Sequence, residues 1–413
     1  MRTPMKVIHI PVDSLLKKAV TTYTNTSIHP FLNLEKHSLV KKLRNERHMY
    51  HLLVRLKKEL APYDAILKHK SGEPFPSNHD ISLILNKFLG EIHERGLLGK
   101  SDVIPYILEH GFLDRLIQLF SIAYKEDPDL SQDDLIQALR HIYIMNILQL
   151  YSGKEPTLSP EVYAFGLLYP YEDNYLDDPL ISNEEKRAFN DWLTLLLNGE
   201  KVSPSHLVES KLVDFVALIE SQFDEDAAEM IYASLSLVHA SQIKSLEQLN
   251  NNSMTKEEVM EISFLKGGST LLADAYLIQS EPELTFLNFA FEMGTYLQLI
   301  DDLQDMKEDA DKGIHTLFTL PQNGKMREAE IKQLLSYVLN VNEKKTSDTI
   351  NQKRTKDFLN YGMRILIMDA VGQHPDAVSK SFYKELEAYS PVRLSFYKKM
   401  WRECINLLGL SGK

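Results

Sequence analysis

Residues 296–313 read YLQLIDDLQDMKEDADKG. Six carboxylates, from Asp301 to Asp311, follow directly on FLNFAFEMGTYLQLI, a stretch apolar around most of its circumference. Such a pattern belongs to an inner helix rather than a surface one. At about 100° per residue, with Asp301 at zero, Asp305 falls near +40°, Glu308 near −20°, Asp309 near +80° and Lys312 near +20°. Four acids and a terminal lysine share one stripe, while Asp302 points about 100° away. Gly313 fits the position that ends such a helix. Like charges stacked at this spacing repel, and a low-dielectric setting makes them worse unless they are protonated or bound to cations.

A second acidic cluster lies in LLYPYEDNYLDDPL, residues 167–180. The pattern predicts a helix from Pro160, with Ser159 as N-cap and proline in the first turn. It should stop at Asp178, because Pro179 biases its predecessor away from helix. Pro170, inside it, cannot bond back to the carbonyl of Gly166. Asp173 and Asp177 are four residues apart and share a face, among Leu167, Leu168, Tyr169, Tyr171, Tyr175 and Leu176. Either cluster alone could be a solvated helix end. Two of them, both ending apolar helices, point to hard divalent cations such as Mg²⁺, which take oxygen ligands jointly from carboxylates and substrate phosphates.

The rest of the chain predicts an all-α protein. Alternating Val/Ile/Thr runs are few, and apolar residues recur at three- and four-residue steps over 33–67, 80–97, 102–124 and 131–151. Beyond the helix at 160–178, further helices are expected near 184–198, 205–221, 224–249, 255–280, 283–312, 326–340, 350–371 and 378–408. YSGKEPTLSP, residues 151–160, is the best boundary, giving an N-terminal helical extension over 1–155 and a second helical block over 156–413. No fixed-period repeat argues for a solenoid.

Composition narrows the function classes. The 413 residues carry a formal net charge of −12, which argues against a nucleic-acid partner held by a general basic surface. A single cysteine, Cys404, rules out an intramolecular disulfide framework and suits a reducing cytoplasm. No apolar stretch is long enough to be a transmembrane segment, and Pro11 and Asp13 interrupt the N-terminus before a signal-like core develops. The expectation is a cytoplasmic protein.

At its acidic clusters the sequence resembles the class I terpenoid synthases: prenyl diphosphate synthases, squalene and phytoene synthases, and class I terpene cyclases. Asp173-Asn-Tyr-Leu-Asp177-Asp178 is similar to the DxxxDD form of the first aspartate-rich motif. Asp301-Asp302-Leu-Gln-Asp305 is similar to the DDxxD second motif, and Asp301, Asp305 and Asp309 match the spacing of the NDxxSxxxE metal triad. FLKGGSTLLADAYLI, residues 264–278, resembles a Lys/Gly/Thr helix of the family and the GSTL of large bacterial sesterterpene-type cyclases. The glycine pair costs about 1 kcal/mol per residue against alanine. It implies a kink, a backbone close to ligand, or tight helix packing.

The resemblance implies a helical bundle around a central cavity, with several Mg²⁺ ions and a prenyl diphosphate as partner. Metal ligands would be Asp173, Asp177, Asp178, Asp301, Asp305 and Asp309. Among them Asp173, Asp177, Asp301 and Asp305 would carry catalysis. Lys266, Lys312 and Arg393 would bind diphosphate oxygens. Tyr169, Tyr175, Phe289, Phe291 and Tyr296 are cavity candidates, although each taken singly is expected to be plain core. The paired arginines that follow the first motif in chain-elongating enzymes are absent; only Lys186-Arg187 stands nearby. The leading expectation is therefore a terpene synthase that ionises a prenyl diphosphate and lets the cation cyclise or be quenched. A chain-elongating or head-to-head prenyltransferase and a non-catalytic helical scaffold are the alternatives. An apolar product would suit transient membrane contact, and a homodimer is compatible with the sequence.

Overall fold

The computed structural model describes residues 10–32, 34–63, 79–97, 102–127, 130–178, 180–251, 253–320, 326–343 and 349–408, with the side chains of His79, Asp177 and 404–408 excepted. The chain is all-α. In order, the first helices are α1 (Val12–Asn25), α2 (Leu39–Leu60), α3 (His79–Glu94), α4 (Val103–Glu109), α5 (Phe112–Glu126) and α6 (Gln132–Tyr151). They are followed by α7 (Pro160–Asp177), α8 (Asn183–Leu197), α9 (Leu207–Glu220), α10 (Glu225–Ser245), α11 (Lys256–Ile278) and α12 (Leu284–Gln304). The series ends with α13 (Met306–Lys312), α14 (Glu328–Glu343), α15 (Ile350–Gln373), α16 (Lys380–Tyr389) and α17 (Leu394–Leu408). Among the described residues the only β-type pairing is an isolated bridge between Leu249 and Ile314. No helix among them is long and apolar enough to cross a membrane.

Local chemistry starts these helices where side chains can satisfy the first free amides. Ser182 with Glu185, Thr255 with Glu258 and Thr349 with Gln352 form reciprocal capping boxes at α8, α11 and α15. Ser159 precedes α7 as predicted, but its hydroxyl bonds Glu161 at 2.5 Å and does not cap the backbone. Three predicted helices are divided. Gly111, at φ +62, separates α4 from α5, and the Pro391 turn separates α16 from α17. The third division, at Asp305, falls inside the acidic stripe.

The chain packs as two compact units, each assembled from separated stretches. One comprises residues 1–25, 136–299 and 310–316. Its inner helices are α11 and α12, where Phe264, Leu272, Ala290, Phe291, Met293, Tyr296 and Leu299 are fully buried. Each such large apolar side chain contributes about 1.5–3 kcal/mol by leaving water. α1 and α10 pack on α11, and α9 packs on α7.

The other unit comprises residues 26–135, 300–309 and 317–413. α15 is its hub, packed against α4, α14 and α17, while α2 meets α3 and α17. Tyr106 of α4 shares a 2.7 Å hydrogen bond with Thr355 of α15. The division at residue 155 read from the sequence does not coincide with these units. α1 belongs with α11, and residues 26–135 pack with the C-terminal helices, because apolar faces remote in sequence are what cover one another.

Candidate functional site

The first acidic cluster is set by α7, by α6 running antiparallel to it, and by contacts from α10 and α11. Gly166 lets α6 come close: a Cβ there would lie 2.6 Å from Ile142 Cγ1. Contacts then climb the helix turn by turn. His141 of α6 meets Phe165 edge-on at 4.9 Å and Tyr169 at 5.7 Å. Tyr169 shares a 3.1 Å hydrogen bond with Thr270 of α11 and accepts another from Gln242 of α10. Asp173, one turn further along α7, accepts from Gln137 Nε2 at 3.2 Å. Along α7 the numbers rise where those on α6 fall, so Gln137 stands at the level of Asp173. Lys266 stands one turn before Thr270 on α11, and the Thr270 hydroxyl donates to its carbonyl at 3.0 Å. His141, Tyr169 and Thr270 form the next level, about one helical pitch, or ~5.4 Å, away.

That second level is polar and enclosed. Burial pushes the Tyr169 phenol well above its ordinary value, yet its side chain keeps intermediate exposure, as a concave wall would. His141 Nε2 is 2.9 Å from Asp274 Oδ1, and Asp274 is 0% exposed. Burial raises the Asp274 carboxyl above its usual range, with His141 opposing the shift. Asp274 Oδ2 has no hydrogen-bond partner. A carboxylate that orients an imidazole is the arrangement of a general base held in one tautomer. Sequence reading missed the pair, because its members are 133 residues apart. The available signal was an aspartate inside the apolar run LLADAYLI.

On the far side of α7, Glu172 and His239 are both 3% exposed and 2.9 Å apart, and His239 Nε2 lies 3.2 Å from the Asn190 carbonyl. This pair fastens α7 to α10 and α8 directly beside Asp173. Asp178 is the C-terminal cap of α7, and its Oδ1 accepts the Leu180 amide at 2.8 Å. Asp177 is the last residue of α7, and its side chain lies outside the described residues.

The second cluster spans the junction of α12 and α13. The Asp305 amide donates to the Asp301 carbonyl, and the Asp309 amide to the Asp305 carbonyl, each at 2.9 Å. The four-residue ladder thus runs across the junction and preserves the expected spacing of the three aspartates. His374 Nε2 donates to the Gln304 carbonyl at 3.1 Å, occupying an acceptor that an uninterrupted helix would use internally. Asp301, Asp305 and Glu308 are exposed, Asp309 is intermediate, and Asp302 is 6% exposed. The wheel separated Asp302 from the stripe, and the structure turns it inward. Lys312 is exposed, and Gly313, at φ +75, ends α13 and passes its carbonyl to the Asn250 amide at 2.8 Å.

The glycines of α11 have a packing role. A Cβ at Gly267 would overlap the Gly294 carbonyl, and one at Gly268 would lie 2.5 Å from Phe291 Cζ. Of the three meanings open in the sequence, tight packing of α11 on α12 is the observed one. Lys266 beside them is half-buried. Phe291 and Tyr296 are 0% exposed, and Phe289 stacks on Tyr151 at 3.8 Å, so these three are core. Tyr175 stacks with His206 at 4.8 Å and Phe189 at 4.4 Å. Arg393 has an internal partner: its Nε and Nη2 grip the Glu46 carboxylate at 3.0 and 2.6 Å. A fork so engaged on a 7%-exposed carboxylate ties the start of α17 to α2.

The donors on both clusters are carboxylate and amide oxygens, the set a hard divalent cation takes. Among the described residues no three His, Cys, Asp or Glu side chains gather as an all-protein cage. Mg²⁺ does not need one, since it keeps waters and is commonly shared with substrate phosphate. The donor chemistry therefore fits magnesium held jointly with a phosphorylated ligand. Searches against known protein families and curated proteins find no match to this chain.

Proposed function

We propose that this protein is a Mg²⁺-dependent class I terpenoid synthase that ionises a prenyl diphosphate, releases diphosphate, and lets the carbocation cyclise or be quenched. The observation that supports this most directly is the layered register of α6 and α7. Carboxylate and amide groups (Asp173, Gln137) occupy one level, and a desolvated aromatic and imidazole wall (Tyr169, His141) the next. An amphiphile with an anionic head and an apolar tail asks for that order.

Asp173 and Asp177 on α7 would hold metal, and, as the resemblance implies, so would Asp301, Asp305 and Asp309 on the second motif. Bound magnesium would neutralise the leaving diphosphate, which is the principal electrostatic demand of breaking its bond to carbon. Lys266 and Lys312 would bind diphosphate oxygens. The Tyr169 ring would offer its π-face to a passing cation, and the enclosed wall would keep water away from it. His141, oriented by Asp274, is the group able to accept a proton from carbon.

The test is diphosphate release from geranyl, farnesyl and geranylgeranyl diphosphate with Mg²⁺, with and without isopentenyl diphosphate. The expected result is release from at least one prenyl length alone, lowered about a hundredfold or more in Asp173→Ala and in Asp305→Ala. Release only in the presence of the second substrate would replace cyclisation by chain elongation. Equal activity in the wild type and both variants would remove the proposal.

A further inference from the structure

The outward face of α2 is unlike the rest of this acidic protein. Val40, Leu43, Tyr50 and Val54 are 78, 43, 37 and 36% exposed, in a helix whose other apolar residues include the buried Met49, Leu52, Leu53 and Leu56. Arg44, Arg47, Lys57 and Lys58 are exposed among them. Taking Arg47 as zero, these eight residues fall between about −80° and +60° on the helix, a single stripe. None of the four cations has an acidic partner among the described residues. Of the two acids of α2, Glu46 faces inward and is held by Arg393, and Glu59 is paired with Arg55 and Lys87, outside the stripe. Lys399 of α17 adds a further cation, its Nζ 4.4 Å from the centre of the Tyr50 ring.

We propose that this face docks on an anionic lipid surface. Interleaved aliphatic, tyrosine and Lys/Arg side chains are what an interfacial helix uses: apolar groups enter below the headgroups while cations meet lipid phosphates. A nucleic-acid backbone would use the cations and leave Val40, Leu43 and Val54 without a role. Two copies meeting by this face would press like charges together across a symmetric contact. The formal net charge of −12 does not prevent docking, because it is screened beyond about 10 Å at ordinary salt, whereas the α2 cations act at contact. The inference does not depend on the chemistry proposed for the aspartate motifs.

Flotation of the full chain with large unilamellar vesicles tests it. One set is phosphatidylcholine alone, the other has a third of its lipid replaced by phosphatidylserine. The protein should float with the second set, not the first, and progressively less as salt is raised. Arg44→Glu with Arg47→Glu should lower flotation at least tenfold, and Val40→Ser with Val54→Ser should weaken it at constant salt dependence. Leu180→Ser, at an 89%-exposed position in the other unit, should float like the wild type. Failure of the wild type to float at low salt would overturn the proposal, as would equal flotation of the Arg44→Glu, Arg47→Glu variant. So would a lipid-free dimer that Val40→Ser with Val54→Ser converts to monomer, since a second copy would then cover the face.

Discussion

Replacing Gly294 by alanine should destabilise the protein, even though alanine is the better helix former by about 1 kcal/mol. The new Cβ would stand 2.7 Å from the Gly267 carbonyl carbon and 3.0 Å from Gly268 Cα, where ordinary contact begins at 3.4 Å. The obstacle is backbone on the facing helix, so no flexible side chain can give way. α11 and α12 would have to separate by at least about 0.7 Å (3.4 minus 2.7) along a crossing buried on both sides. Overpacking of this kind costs about 1–3 kcal/mol, occasionally more, so the propensity gain leaves a net loss of roughly 0–2 kcal/mol. Gly362, within α15, provides the control because a Cβ there meets nothing within 4 Å. Gly362→Ala should be stabilised by up to about 1 kcal/mol. Urea unfolding followed by far-ultraviolet circular dichroism measures both. Opposite signs are expected, and a Gly294→Ala protein at least as stable as Gly362→Ala would refute the close-packing argument.

Breaking the buried Glu172–His239 pair with His239→Leu should cost about 3–5 kcal/mol, seen as a lower urea midpoint, because the carboxylate would be left buried without its partner. Asp274 should make wild-type stability fall relative to Asp274→Asn as pH rises. Its folded pKa is raised above 3.8, so the native state holds the proton more tightly; the advantage is complete below 3.8, is lost as pH rises through the folded value, and the difference is flat beyond it. Thermal melts of the two proteins across that window would show it, and an opposite slope would contradict the burial argument. His141→Phe should leave diphosphate release within a few-fold while changing the ratio of hydrocarbon to alcohol products by gas chromatography. An unchanged ratio would remove His141 as proton acceptor.

Much of the fold was legible because helical periodicity and caps are local. Ser159-Pro160 and the Asp178-Pro179 step placed α7 to within a residue at each end. α1 was not anticipated, although Pro11 and Asp13 stand just before it and in its first turn, positions where both residues favour a helix start. The junction at Asp305 was unreadable, because the group that takes the Gln304 carbonyl, His374, is 70 residues away. The same holds for Arg393, whose partner Glu46 is 347 residues distant in sequence. Wheel geometry did separate Asp302 from the exposed stripe, since a side chain's direction on a helix is a local property.

The threading of the chain through its two units bears on the order in which the protein can be built on a ribosome. Residues 26–135 emerge early, yet they pack with residues 317–413: the His37 amide bonds the Ala388 carbonyl at 2.8 Å, and Phe31 stacks on Tyr389 at 4.5 Å. At about 5–20 residues per second, the intervening stretch takes on the order of ten to forty seconds to synthesise. Throughout that interval the inner faces of α2 and α4 wait without their late partners. The other unit closes sooner, once residue 316 has emerged. Nascent-chain handling by chaperones should therefore concentrate on the first third of the polypeptide, the segment translated early and finished last.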